Sequence, residues 1–255
     1  MRINEHTAVS SAKVLLVPYS AHHVPKYHEW MKDPDIQEAT ASEPLTLDEE
    51  YAMQRSWRVD PDKLTFIICR SGGSQTTARD GRRDLDSMVG DVNLFISTTE
   101  DDAQNHQIVI GELEIMIAER TEQRKGYGRA ALLTFLSYII RHESSLLTEF
   151  HAGQPAAAAA AAPTSTPTPT LDLTRFTHFA VKIGGSNHRS IALFESLGFR
   201  KTSDVPSYFG EYELRLDRDR VTSVLDSCSS GDKTRLLEAY QEIDYVLPTG
   251  TTGME

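Results

Sequence analysis

The sequence predicts an α+β fold: a mixed, largely antiparallel sheet with helices on both faces. Two observations carry this. Three strand-like runs follow one another in mid-chain, "KLTFIICR" (63–70), rich in β-branched and aromatic residues, "MVGDVNLFIS" (88–97) and "IVIGELEIMIAE" (108–119). Helical patterns stand before and after them, and the third run passes through a glycine-bearing turn into a long apolar helix beginning near Gly128.

The elements follow in order. "KVLLVPYS" (13–20) reads as a first strand ended by Pro18. In "AHHVPKYHEWMKDPDIQEAT" the spacing of Val24, Tyr27, Trp30 and Met31 gives a helical stripe, broken at Pro34. "TLDE" (46–49) is a capping box that opens a second helix over 47–59. After the strand at 63–70, "SGGSQTTARDGRRDLDS" (71–87) reads as a flexible polar loop, and "TTEDDAQNHQ" (98–107) as an acidic turn. Gly111 in the third central run suggests a bulge. "RFTHFAVKIG" (175–184) is a further strand, and "SNHRSIALFESLGF" a short helix with Asn187 at its N-cap and Gly198 past its end. "YFGEYELRL" (208–216) alternates as a last strand.

The chain has 255 residues, a hydrophobic fraction of 39% and a formal net charge of −11. The Pro/Thr-rich half of "HAGQPAAAAAAAPTSTPTPT" (151–170) cannot bury surface and reads as a disordered insert. We therefore expect one domain over 1–217, with a 218–255 tail that holds one amphipathic stretch, "TRLLEAYQEIDYVL". The acidic balance argues against nucleic acid as a partner. Cys69 and Cys228 are far apart and suggest neither disulfides nor a metal site. No apolar run reaches a membrane span, and "MRINEHT" is no secretory signal, so a cytoplasmic or nuclear protein is expected. Oligomeric state is not legible.

"QRKGYG" (123–128) is the part of the sequence that points to chemistry. Gly126 and Gly128 let backbone approach a ligand, the following N–H groups and the helix dipole favour an anion, and Arg124 and Lys125 raise the local potential. The set suits a pyrophosphate. It is neither a Walker A loop nor a dinucleotide fingerprint. An ordinary strand–helix turn with solvated charges is the alternative reading.

"QRKGYG" also matches the Q/R-x-x-G-x-G/A signature of the GNAT superfamily of N-acetyltransferases, and "SNHRSIALFESLGF" looks like the segment that closes that superfamily's acetyl-CoA site. The resemblance runs from about Lys13 to Leu216. "VLLVPYSAHHVPKYHEWMKDPDIQEATASEPLTLDEEYAMQRSW", with "VGDVNLF" and "GELEIMIAE", is similar to the N-acetyltransferase 9-like family.

The resemblance implies a GNAT fold in which the strands ending at 119 and 184 run parallel and splay apart around acetyl-CoA. It implies that backbone groups of Met116, Ile117 and Ala118 hold pantetheine, with the Met116 N–H on the thioester oxygen. Gln123, Arg124, Lys125, Gly126, Tyr127 and Gly128 would cradle the pyrophosphate, and Asn187 would bond the pantetheine arm unless it is only a helix cap. Glu112 is the implied base, with Glu114 second and Asp91 a substitute; both glutamates share one strand face and can equally be solvent-facing. Phe194 replaces the tyrosine that many members use as acid, so no acid is named; Tyr208 is a candidate without support. His22, His23 and His28 read as surface or interface residues, and Trp30, Tyr51 and Trp57 as core. No metal is implied. The implied activity is transfer of acetyl from acetyl-CoA to a primary amine, a protein N-terminus or lysine. A non-catalytic acetyl-CoA-binding module and a polyamine or small-molecule acetyltransferase are the competing readings.

Overall fold

The computed structural model describes residues 1–71, 81–101, 106–154, 173–227 and 239–246. Its centre is a sheet whose nine strands, among the described residues, lie in the order β7-β8-β6-β5-β4-β3-β2-β1-β9. The strands are β1 (Thr7–Ser10), β2 (Val14–Pro18), β3 (Lys63–Arg70), β4 (Met88–Asp101), β5 (His106–Ile117), β6 (His178–Gly184), β7 (Arg200–Lys201), β8 (Glu211–Asp217) and β9 (Gln241–Asp244). Every neighbouring pair is antiparallel except β5 and β6, which are parallel.

Among the described residues seven α-helices accompany the sheet: α1 (Val24–Met31), α2 (Pro34–Thr40), α3 (Leu47–Val59), α4 (Gly81–Ser87), α5 (Tyr127–Ala152), α6 (His188–Glu195) and α7 (Arg218–Ser227). Strand alternation divides the core between two faces. On one, α5 lays Leu132, Phe135, Leu136 and Ile139 on Leu16, Phe66, Leu94 and Leu113. Phe66 meets Phe135 and Tyr138 edge-on, at 5.9 and 5.3 Å between ring centroids. On the other, α1 turns Val24, Tyr27, Trp30 and Met31 onto Val17, Ile67 and Met116. Fully burying one such side chain is worth about 1.5–3 kcal/mol, so α5 is the main clamp on the sheet.

Local signals hold where the chemistry is local. Pro34 does end α1, and it also starts α2, because a proline tolerates the first turn of a helix whose cap, Asp33, accepts from Asp35 N. The capping box stands as read: Glu49 N donates to Thr46 Oγ1, and Thr46 N donates to Glu49 Oε2. Gly198 has φ +88° after α6.

Several expectations are corrected. Residues 81–87, read as the end of a loop, form α4, whose Asp84 is buried and accepts from Tyr245 Oη at 2.9 Å. The strands around the acidic turn run on to Asp101 and from His106, because pairing with a neighbour outweighs poor local propensity. Gly111 is no bulge: it pairs in continuous register with Ile96 and Phe179. It is a close contact, since a Cβ there would stand 2.8 Å from Leu94 Cδ1 and 2.9 Å from Phe179 Cδ1. The insert's first residues, His151 and Ala152, belong to α5; residues 155–172 lie outside the described residues. The tail does not stand apart from a 1–217 domain. Its β9 pairs with β1 over Ser10↔Gln241 to Thr7↔Asp244, and Tyr245 is buried. The "TRLLE" part of its amphipathic stretch lies outside the described residues, as does most of the 71–87 segment. Among the described residues, no helix is long and apolar enough to cross a membrane.

Candidate active site

β5 and β6 pair only over Ile110↔His178, Gly111↔Phe179 and Glu112↔Ala180. β5 continues to Ile117 beside β4, and β6 continues to Gly184 beside β8. The two parallel strands therefore part after Glu112 and Ala180. A strand edge without a neighbour leaves N–H and C=O groups to be satisfied by something else, and a ligand that does so binds well.

Which groups face the gap follows from alternation. Ala118 N donates to Val89 O at 2.8 Å, so Ala118 faces β4. Ile96 N donates away from β5, to Asp62 O, and Thr177 N donates to Val109 O on the β6 side. Odd residues of β5 therefore turn to β6 and even ones to β4. Ile115 and Ile117 line the gap. Met116, paired with Asp91, and Ala118 do not, which corrects the expectation for both: three consecutive residues of a strand cannot all present their backbone to one edge. Glu119 N also donates to Val89 O, at 3.2 Å, so two residues oppose one and β5 ends in a bulge.

The turn beyond the bulge has the expected form. Arg124 has φ +61° and Gly126 φ +85°, and Gly126 caps α5. The first N–H groups of a helix have no partner within it, and here they open onto exposed residues. Gln123 Nε2 donates to Ile117 O at 2.9 Å, so the turn's first residue grips the last residue of the gap. Lys125 is not a free cation: it pairs with Glu122 at 3.1 Å, and Arg70 reaches the same carboxylate at 3.2 Å. Lys13, which no motif includes, stands with its Nζ 5.1 Å from the Tyr127 ring centroid.

On the α1 face of the sheet, two strand rows hold polar side chains: Thr65, Asn93 and Glu114 lie side by side, with Asp91 one row on, opposite Met116. Glu112 is bound by Lys182, Nζ to Oε2 2.7 Å. Glu114 opens to solvent at the gap while protein crowds the inner side of its carboxyl. That burial, with the negative charges of Asp91 and Glu112, pushes it up to about 7. Asp91 is 2% exposed and accepts from Asn93 Nδ2 at 2.7 Å; burial pushes it up to about 7 as well. Lys182 and Asn93 escaped the sequence reading, because both placements depend on strand register.

The remaining candidates separate. Asn187 Oδ1 accepts from Ser190 N at 3.1 Å, so it is the cap of α6, and its amide N–H groups have no partner among the described residues. Phe194 is buried against Phe199. Tyr208 is 98% exposed on the β7–β8 loop. Trp30 is buried and donates from Nε1 to Glu119 Oε1, tying α1 to the end of β5; Tyr51 and Trp57 are half-buried. Among the histidines, His23 is fully buried, not at the surface. Ligand atoms of His22, His23 and Asp84 lie within 4.8 Å of one another. His23 Nδ1 accepts from Ser20 N, which places a neutral ring's proton on Nε2 and removes the lone pair that a metal needs there.

Known proteins resemble this chain in sequence and in fold. The family model described as "Acetyltransferase (GNAT) domain" matches residues 13–200. The chain is 41% identical over 217 residues to human alpha/beta-tubulin-N-acetyltransferase 9, covering 85% of this chain and 86% of that protein. It is 40% identical to the Drosophila melanogaster protein of the same name, over 86% and 89% of the two chains. It is 35% identical to the N-acetyltransferase 9-like protein of Schizosaccharomyces pombe, over 86% and 99%. In fold it is similar to an aminoglycoside acetyltransferase solved with coenzyme A (TM-score 0.53, 14% identity, 82% and 98% covered). The spermidine N-acetyltransferase of Vibrio cholerae, solved with CoA and spermine, aligns as well (TM-score 0.53, 13% identity, 82% and 98% covered).

Proposed function

The chain belongs to the GNAT acetyltransferase family, among relatives named N-acetyltransferase 9, and we propose that it moves acetyl from acetyl-CoA to the α-amine of a protein N-terminus. The observation that carries this is the gap itself: Glu114 projects from the strand that borders it, and the gap leads past Ile117 to the Gly126 turn.

The residues present fit the co-substrate. An extended pantetheine arm takes the place of a strand along Ile115 and Ile117, and Gly126, Tyr127 and Gly128 offer N–H groups to the pyrophosphate. Arg124 adds charge, and Gln123 fixes the Ile117 peptide plane from its carbonyl side. Acetyl-CoA supplies an activated thioester. The Ile117 N–H is the donor for the oxygen on which charge grows.

Glu114 takes the amine proton. A base works best when its pKa lies near the working pH, and about 7 is that range. The match also favours an α-amine, pKa about 8, over a lysine at about 10.4, because the proton moves less far uphill. Glu112, held by Lys182, shapes the charge at the mouth. Several relatives carry tubulin in their names, so the N-terminal segments of α- and β-tubulin are the first acceptors to try.

The test is calorimetric titration of acetyl-CoA followed by acetyl transfer to those N-terminal peptides, each also offered with its α-amine blocked. Transfer to the open peptides alone is expected. Binding without transfer to any amine would leave the acetyl-CoA-binding module, and a folded protein that does not bind acetyl-CoA would overturn both.

A further inference from the structure

The phosphate turn has a cation that its motif does not contain. Lys13 lies in the tight turn between β1 and β2. Its backbone is pinned on both sides: Ser11 N donates to Val14 O at 2.9 Å, and Ser71 N donates to Lys13 O at 3.0 Å. The side chain crosses to the start of α5. A Cβ placed on Gly126 would stand 3.8 Å from Lys13 Cε and 3.9 Å from Nζ. The ammonium lies 5.1 Å from the centroid of the Tyr127 ring.

This is a poor place for an unpaired cation. The N-terminus of a 26-residue helix carries partial positive charge, and Arg124 and Lys125 are close in sequence. Of the neighbouring cations, Lys125 and Arg70 share Glu122, Arg129 donates to Ser196 Oγ at 2.8 Å, and Arg124 is exposed to solvent. Among the described residues Lys13 has no carboxylate, only the ring face. A cation–π contact orients an ammonium but does not neutralise it. An anion seated on the turn would relieve both the helix end and Lys13.

Resting on the acetyl-CoA reading above, we propose that Lys13 is a direct ligand of the cofactor's pyrophosphate and that Tyr127 is the platform that holds it there. This draws the β1–β2 turn, three strands away from the β5–β6 gap, into the cofactor site.

Calorimetry on the full chain tests it with three probes: acetyl-CoA, its 3′-dephospho form and phosphate-free acetyl-pantetheine. Lys13→Ala should weaken the first two alike, by about tenfold, and leave the third unchanged. Tyr127→Leu should weaken the same two by a smaller factor. The unliganded Lys13→Ala protein should melt no lower than the wild type, since it loses a repelled charge. Wild-type affinity for all probes in Lys13→Ala would overturn the proposal. So would a loss confined to acetyl-CoA, which would assign Lys13 to the 3′-phosphate. A wild type that binds none of the phosphate-bearing probes would overturn the acetyl-CoA reading itself.

Discussion

Lys182 brings its ammonium within 2.7 Å of Glu112 Oε2 at the point where β5 and β6 part, while Glu114, two residues further on, has no ion-pair partner among the described residues. A carboxylate already engaged by a lysine is less free to meet an incoming amine than one without an ion-pair partner. Glu114→Gln should therefore lower kcat/KM by about 100-fold, and Glu112→Gln by less than about tenfold, with acetyl-CoA affinity kept in both. Steady-state rates beside calorimetry check this; the opposite order would return the base to Glu112.

The pH dependence follows from the same carboxyl. Glu114, raised to about 7, is mostly protonated at pH 6 and ionised at pH 8. kcat/KM should rise about tenfold per unit below pH 7 and level off above it. In Glu114→Gln the inflection near 7 should vanish from the rate profile.

Asp91 has a stability signature of its own. Its folded pKa, about 7, lies above the unfolded value, so the folded state keeps the proton longer. The stability this contributes is present at about pH 4 and is lost as the pH rises through 7. Asp91→Asn lacks that loss and should be more stable than the wild type at pH 8, by on the order of 2 kcal/mol, and gain nothing at pH 4. Urea unfolding at the two pH values measures the difference.

Gly126 carries φ +85° at the head of α5. Gly126→Ala should cost about 1 kcal/mol through that backbone conformation alone, since its new Cβ meets only ordinary contacts with Lys13. Gly126→Glu adds a carboxylate where the pyrophosphate is proposed to sit, and should abolish acetyl-CoA binding with a similar stability cost. Retained binding in Gly126→Glu would move the phosphate elsewhere.

The tail belongs to the folded unit. Tyr245 is 1% exposed and donates to the buried Asp84. Tyr245→Ala should cost about 3 kcal/mol, and Tyr245→Phe about 1 kcal/mol. Thermal unfolding distinguishes these from the near-zero cost that an independent tail would show.

Short-range chemistry was legible. The Thr46–Glu49 capping box, the α1 stripe from Val24 to Met31, the Asn187 cap and the Gly126 turn each need only a few consecutive residues, and each stands as read. What failed was long-range. α4 and β9 are short, weakly patterned segments that exist because a partner is already in place. Gly111 carries the same letter whether it makes a bulge or admits Phe179 and Leu94, and only the neighbouring strands distinguish the two.

By itself the sequence determined the α+β class, the position of the glycine turn before α5 and the strand that carries Glu112 and Glu114, because periodicity and turn chemistry are written in neighbouring residues. The tertiary structure alone decided which backbone groups face the gap, which glutamate Lys182 takes and where Lys13 reaches. Those depend on register between strands far apart in the chain, and a shift of one residue turns every side chain to the other face and every N–H to the other edge.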